Sequence, residues 1–239
     1  DFSSRPHEHH VILEYVKTST NFGYSLYLWK GGFLMKITYY GHSCFLVEEN
    51  NSRILFDPYE DESVPGLTLS KDISVDAVYC SHEHADHNAA HLVHTENKDP
   101  FPKEFIVVPH DHHDGKKRGM NRMTIVNIHG IRLAHLGDIG RLPTKEEYEK
   151  LNVDILLVPC GGYYTINALE AKEIIDTIDA GLTILMHYRN GKQGYDVLEE
   201  IHDIMQNEIP SIKQIDSSTI EVDQQMLNSH SIITLLPKQ

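Results

Sequence analysis

The sequence predicts an α/β fold: two mixed β-sheets packed face to face with helices outside, a four-layer αββα sandwich. Three observations predict it. Short β-rich runs open the regular part of the chain, and further strands then alternate with segments of helical period. Gly, Asn, Asp and Pro clusters punctuate these runs at strand-length intervals. Histidines and aspartates fall at the ends of apolar runs, where a sheet edge can gather them.

Residues 36–40, 44–49 and 53–56 are rich in β-branched and aromatic side chains. Gly41-His42-Ser43 and Glu49-Asn50-Asn51-Ser52 separate them, and Asp57-Pro58 ends the third. A polar loop is expected over 60–72. The short apolar strand 77–80 runs into a histidine cluster, and 86–94 is expected to be a helix. Residues 105–108 form a strand, and 123–128 with 131–135 a hairpin turning at His129-Gly130. Thr144-Lys145-Glu146-Glu147 has the form of a capping box opening a short helix. Strands follow at 155–158 and 182–186. A helix at 167–178 carries Ala168, Ala171, Ile174, Ile175 and Ile178 on one side. A helix over 195–205 and two or three short strands to residue 236 complete the pattern.

The 239 residues allow one large domain or two small ones, and 40% hydrophobic content supports a core. No apolar run reaches membrane-spanning length. A net charge of −14 opposes a nucleic-acid surface, which needs a basic face. The odd set Cys44, Cys80 and Cys160 reads as buried thiols in a reducing compartment, so a cytoplasmic location is expected. Residues 1–34 differ in character: His7, His9 and His10 precede an aromatic stretch broken by glycines, with no secretory pattern. Regular patterning begins at Met35, so 1–34 is expected to be an extension, non-native in origin, and 35–239 the domain.

Ser81-His82-Glu83-His84-Ala85-Asp86-His87 places four ligand-capable side chains in six positions, directly after an apolar strand. On extended backbone His82 and His84 share a side and can grip one ion. Asp86 and His87 project toward a neighbouring position. Pro109-His110-Asp111-His112-His113 offers three histidines, any one of which could join His82 and His84. Asp138 follows an apolar strand and a glycine; alone it would read as well as a turn aspartate. His187 ends the strand 182–186. Imidazole and carboxylate suit divalent transition metals, and seven such groups can hold two ions, which points to metal-assisted hydrolysis.

Further strings extend this set: Gly41-His42-Ser43-Cys44-Phe45-Leu46, Ile54-Leu55-Phe56-Asp57-Pro58, Lys117-Arg118-Gly119-x-Asn121, Ala134-His135-Leu136-Gly137-Asp138, Pro159-x-Gly161-Gly162-Tyr163-Tyr164-Thr165 and Met186-His187-Tyr188. Together they resemble the metallo-β-lactamase-fold hydrolases over residues 35–236, and within them the lactonase-like branch of L-ascorbate-6-phosphate lactonase-type proteins. The resemblance implies that His82, His84 and His112 bind a first ion, that Asp86, His87 and His187 bind a second, and that Asp138 bridges. His112 is selected because the family's histidine stands three residues after a proline, here Pro109. The extra histidines 110 and 113 and a shortened following stretch depart from that pattern. Asp57 resembles a buried aspartate that holds the histidine loop from behind. His42, Arg118, Asn121 and Tyr164 resemble positions near the substrate.

The expected cofactors are two divalent ions, zinc first and manganese second. A hydroxide generated between them is the implied nucleophile, with Asp86 and Asp138 as the catalytic carboxylates. Lys116, Lys117 and Arg118 make a basic loop in an acidic chain, suited to a small anionic ester or lactone. The alternatives are phosphodiester hydrolysis on the same scaffold and a metal-binding protein without turnover. The expected partner is a small molecule, with neither nucleic acid nor membrane, and a homo-oligomer is compatible with the sequence.

Overall fold

The computed structural model describes residues 35–238. The expected extension 1–34 lies outside them. Fourteen strands follow in order: β1 (Met35–Gly41), β2 (Cys44–Glu49), β3 (Ser52–Phe56), β4 (Ser74–Val75), β5 (Ala77–Tyr79), β6 (His94–Thr95), β7 (Lys103–Pro109), β8 (Met120–Ile128), β9 (Ile131–His135), β10 (Ile155–Pro159), β11 (Leu182–Met186), β12 (Lys213–Ile215), β13 (Thr219–Val222) and β14 (Ser231–Leu235). Four helices accompany them: α1 (Lys145–Lys150), α2 (Ala168–Ile178), α3 (Ile201–Asp203) and α4 (Gln224–Leu227).

One sheet runs β13-β1-β2-β3-β5 and a second β12-β14-β11-β10-β9-β8-β7; β4 and β6 form a short pair. Both large sheets are mixed. β1, β2 and β3 are antiparallel meander strands, whereas β5 joins β3 in parallel. In the second sheet β7, β8 and β9 are antiparallel, and the strands from β9 through β12 are parallel. Every residue of β10 and β11 is buried, as a strand covered on both faces requires. The sheets meet where His135 of β9 stacks on Phe56 of β3, 5.0 Å between ring centres. His135 also donates to the Ser43 carbonyl at 2.8 Å.

Local chemistry explains the elements that match expectation. The β8–β9 hairpin turns through His129 (φ 50°) and Gly130 (φ 97°), the paired positive φ of a type I′ turn. The Thr144–Glu147 capping box opens α1 as the spacing predicts. An equivalent box of Asn167 and Glu170 opens α2, which buries Ala168, Ala171, Ile174 and Ile175.

Two helices differ from expectation. Residues 86–94 hold only a 3-10 turn, Ala90–Leu92, before β6. Their backbone bonds outward instead: Ala89 N–H to Pro58 O at 2.8 Å and His94 N–H to Ile73 O at 3.0 Å. The helix expected over 195–205 begins only at Ile201 and runs into a π-helical turn, Ile204–Glu208. Upstream, Glu199 N–H bonds Gly161 O and Ile201 N–H bonds Arg189 O, which spends the donors a longer helix would need. None of the described helices is long and apolar enough to cross a membrane.

Candidate metal centre

The centre is assembled at loops that leave the strands. Beyond β5, Ser81 donates both its N–H and its hydroxyl to the Asp57 carboxylate, at 2.7 and 2.6 Å. His87 Nδ1 lies 2.8 Å from the same carboxylate. Burial opposes the charge on Asp57, but the imidazoles of His135 and His87 hold its carboxyl below the ordinary range. Asp57 thus pins both ends of the histidine loop, as the resemblance implied.

These contacts set two tautomers. The Ser81 hydroxyl spends its one proton on Asp57, so toward His82 Nδ1, 2.9 Å away, it accepts. His82 Nε2 then carries a lone pair; it is buried without a partner. His87 Nδ1 donates to Asp57, and its Nε2 is also buried and unpartnered.

Three groups of side chains bring their ligand atoms within 4.8 Å of one another: His82, His84 and His110; His82, Asp86 and His87; and His42, His87 and His187. Asp138 stands between them. Its Oδ2 lies 3.1 Å from His110 Nε2, 3.3 Å from His87 Nε2 and 3.1 Å from His187 Nε2, while Oδ1 is buried and unpartnered. Gly137 (φ 56°) makes this possible. A Cβ there would meet Asn121 Oδ1 at 2.3 Å and Ser81 Cβ at 2.5 Å.

The electrostatics favour lone pairs and negative charge. Burial, then neighbouring imidazoles, pull His42 down to about 4. The same causes take His82 to about 3 and lower His84. Burial opposes the charge of Asp138, yet His187 and His87 hold it well below the carboxylate range. Asp86 is likewise held low: burial opposes it, and hydrogen bonding from His42 with the charge of His87 prevails. His87 goes the other way. Burial lowers it, but Asp138 and Asp57 on its two sides raise it well above an ordinary imidazole. The neutral imidazoles of His82 and His84, the ionised Asp86 and Asp138 and the unpartnered buried Nε2 of His82 are donors that suit a divalent transition metal. The residues fit such an ion.

A cavity of about 180 Å³ opens on this cluster. His84, Asp86, His110, Asp138 and His187 line it, with Arg118, Tyr164 and Tyr195. The Arg118 guanidinium lies over the Tyr164 ring, 3.7 Å from its centre, a cation–π contact. Both residues line the cavity, and Lys116 and Lys117 are exposed.

The structure departs from three sequence expectations. His112 is exposed, and His110 takes the place beside His82 and His84. The cause is Asp111, whose carboxylate accepts from the N–H groups of His113, Lys117 and Arg118 at 2.7, 3.0 and 2.8 Å. This curls the loop back immediately after His110, carrying His112 away and bringing Arg118 in. Asn121 does not line the cavity. It is buried, donating to Leu136 O at 2.8 Å and accepting from Asp138 N–H at 2.9 Å, so it holds Asp138 from behind. His42 is fully buried among Asp86, His87 and His187 rather than on the cavity wall. Sequence reasoning missed Ser81 and Tyr195. The Tyr195 hydroxyl lies 2.6 Å from Ser63 O and 3.1 Å from Asp86 Oδ2.

Comparison with known proteins gives the family and the fold. Residues 36–187 match the beta-lactamase superfamily domain, a span that includes every donor of the cluster. A UPF0173 metal-dependent hydrolase of Opitutus terrae is 28% identical over 194 residues, covering 65% of this chain and 86% of that protein. A UPF0173 protein of Pyrococcus abyssi is 30% identical over 181 residues, covering 64% and 83%. A solved structure from Thermotoga maritima, of the metallo-beta-lactamase superfamily, superposes with a TM-score of 0.65 at 28% identity, covering 84% of this chain and 98% of that one. Igni18, a metallo hydrolase of Ignicoccus hospitalis, shares the fold at a TM-score of 0.59 and 18% identity, covering 86% and 97%. The chain belongs to the beta-lactamase superfamily, among its UPF0173 metal-dependent hydrolases.

Proposed function

We propose that this metal-dependent hydrolase cleaves a small anionic ester or lactone using two divalent ions, zinc first and manganese second. One observation carries the reading: ionised carboxylates and unpartnered imidazoles converge on a small cavity that a single guanidinium lines. Ions held by His82, His84 and His110 and by Asp86, His87 and His187, with Asp138 between, would lower the pKa of a water toward neutrality and polarise a substrate oxygen.

The chain's own residues supply the rest. Asp86 lines the cavity in its ionised form, so a carboxylate stands ready there to hold an ion and the water it carries. Arg118, steadied on Tyr164, offers a two-point donor fork to a carboxylate or phosphate. The cavity of about 180 Å³ favours a small substrate, and the net charge of −14 weighs against nucleic acid. No thiol is poised to attack: burial pushes Cys80 up to about 12 and raises Cys44 and Cys160. Zinc is put first because the donor set is rich in imidazole, and the Thermotoga maritima relative is provisionally named a zinc-dependent hydrolase.

The test is a hydrolysis screen of the full chain loaded separately with zinc and manganese. Lactones, sugar-phosphate lactones, thioesters and phosphodiesters are compared, with Asp138→Ala as control. Turnover of an anionic ester or lactone that vanishes in the control is expected. Selective turnover of phosphodiesters would replace the substrate class. Silence in every class with two ions bound would overturn the reading.

A further inference from the structure

Asp86 is held by residues from two distant parts of the chain. His42, in the turn between β1 and β2, places Nε2 3.3 Å from Asp86 Oδ2. Tyr195, beyond β11, places its hydroxyl 3.1 Å from the same oxygen. Among the described residues, Oδ1 of Asp86 takes part in no hydrogen bond. Tyr195 has one proton to divide between Asp86 and Ser63 O, so His42 is the donor not shared with another acceptor.

His42 is built for this place. Its side chain is fully buried and absent from the cavity lining, so it does not meet substrate there. Its backbone has a φ of 56°, a left-handed conformation that a side chain adopts at some cost. Two hydrogen bonds to its carbonyl hold it there: His187 N–H at 2.8 Å and the Tyr39 hydroxyl at 3.1 Å. Its ring packs on His187 with centres 4.1 Å apart. One residue therefore touches two donors assigned to the same ion, Asp86 through its side chain and His187 through its carbonyl and ring.

We propose that His42 is the positioning residue of the second ion site: it binds Asp86 Oδ2, assisted by Tyr195, so that Asp86 offers Oδ1 alone to the cation. The proposal rests on the two-ion reading above. Groups behind a metal ligand fix its orientation and strengthen binding.

The test titrates metal-stripped full chain with zinc alone against a chromophoric chelator, for wild type, His42→Ala, His42→Gln and Tyr195→Phe. Wild type is expected to take two equivalents. His42→Ala should weaken the second by about 10–100-fold and leave the first nearly unchanged. Glutamine can still donate to Asp86 but is a poor ligand for zinc, so His42→Gln should recover most of the loss. Both variants bear the same backbone strain at position 42, so their difference isolates the hydrogen bond. Tyr195→Phe, with a proton only partly given to Asp86, should lose less than His42→Ala. An unchanged second equivalent in His42→Ala would overturn the proposal. So would His42→Gln binding as weakly as His42→Ala, which would make His42 a direct ligand. A single equivalent in wild type would sink the two-ion reading, and the positioning role with it.

Discussion

His110 stands with His82 and His84 because strand alternation carries one residue past the end of β7. Ile106, Val108 and His110 are all buried while Val107 is exposed, which is the period of two along a strand. That signal was in the sequence, but the proline-based spacing pointed to His112. Asp111 ends the extended backbone, and a spacing rule cannot anticipate a turn of that length. Loss of a group behind a ligand costs about 10–100-fold, so loss of His110 itself should cost turnover more than about 100-fold. His112→Ala should leave steady-state kinetics unchanged; the two variants assayed in parallel decide between them. Asp138→Ala should abolish turnover and weaken metal binding at both positions, since its carboxylate lies 3.1–3.3 Å from His87, His110 and His187. Normal activity in that variant would refute the assigned site. Arg118→Lys should raise KM more than it lowers kcat, because an ammonium gives neither a planar fork nor the same stacking on Tyr164.

At the scale of elements, short connections do the positioning. The β9 exit needs Gly137, whose φ of 56° and closeness to Asn121 and Ser81 leave no room for a Cβ. Gly137→Ala should lower the Tm and, by displacing Asp138, also the activity; a variant with both intact would show that the turn tolerates a side chain. The cap of α2 provides a contrast. Asn167→Ala removes a side-chain acceptor for Glu170 N–H at 3.0 Å and should cost stability by about 1 kcal/mol. Its kcat should stay at the wild-type value, since Asn167 is not among the cavity-lining residues. The strands, both capping boxes and the β8–β9 turn follow local pattern and agree with the fold. The helix expected over 86–94 does not form because the loop's donors go to Pro58 and Ile73 and its side chains to Asp57 and the cluster. Periodicity counts apolar positions; it does not register a segment whose polar groups are taken elsewhere.

For the whole molecule, the buried cluster links stability to metal and pH. An ion that binds the folded chain alone stabilises it by mass action, so chelation should lower the Tm and zinc should restore it. In the metal-free protein His42 and His82 titrate near 4 and 3 against 6.5 for a free side chain. Below 6.5 the unfolded chain takes up protons that these residues refuse, so stability falls as the pH falls through that window. His87, raised in the fold, opposes this: its contribution is full below 6.5 and is lost as pH rises through its folded value. Asp57, Asp86 and Asp138, lowered from 3.8, keep their contributions above that value and lose them only in stronger acid. With His84 and His135 lowered as well, the histidines that refuse protons outnumber His87. Calorimetry of metal-stripped protein should therefore show the Tm falling from pH 7 toward pH 4.5; a rise over that range would contradict the assignment.

Local pattern was enough to read the α/β order, most of the strands and the turns between them, the His82–His87 loop, and the placing of Asp138 and His187 at strand exits. These follow from side-chain period and turn chemistry within a few residues. That Asp111 turns the loop back and carries His112 away, that Asn121 backs Asp138, and that His42 and Tyr195 meet at Asp86 were decided only by packing. Those contacts join residues 44 and 109 positions apart in the last case, and depend on where two sheets bring their loop ends together.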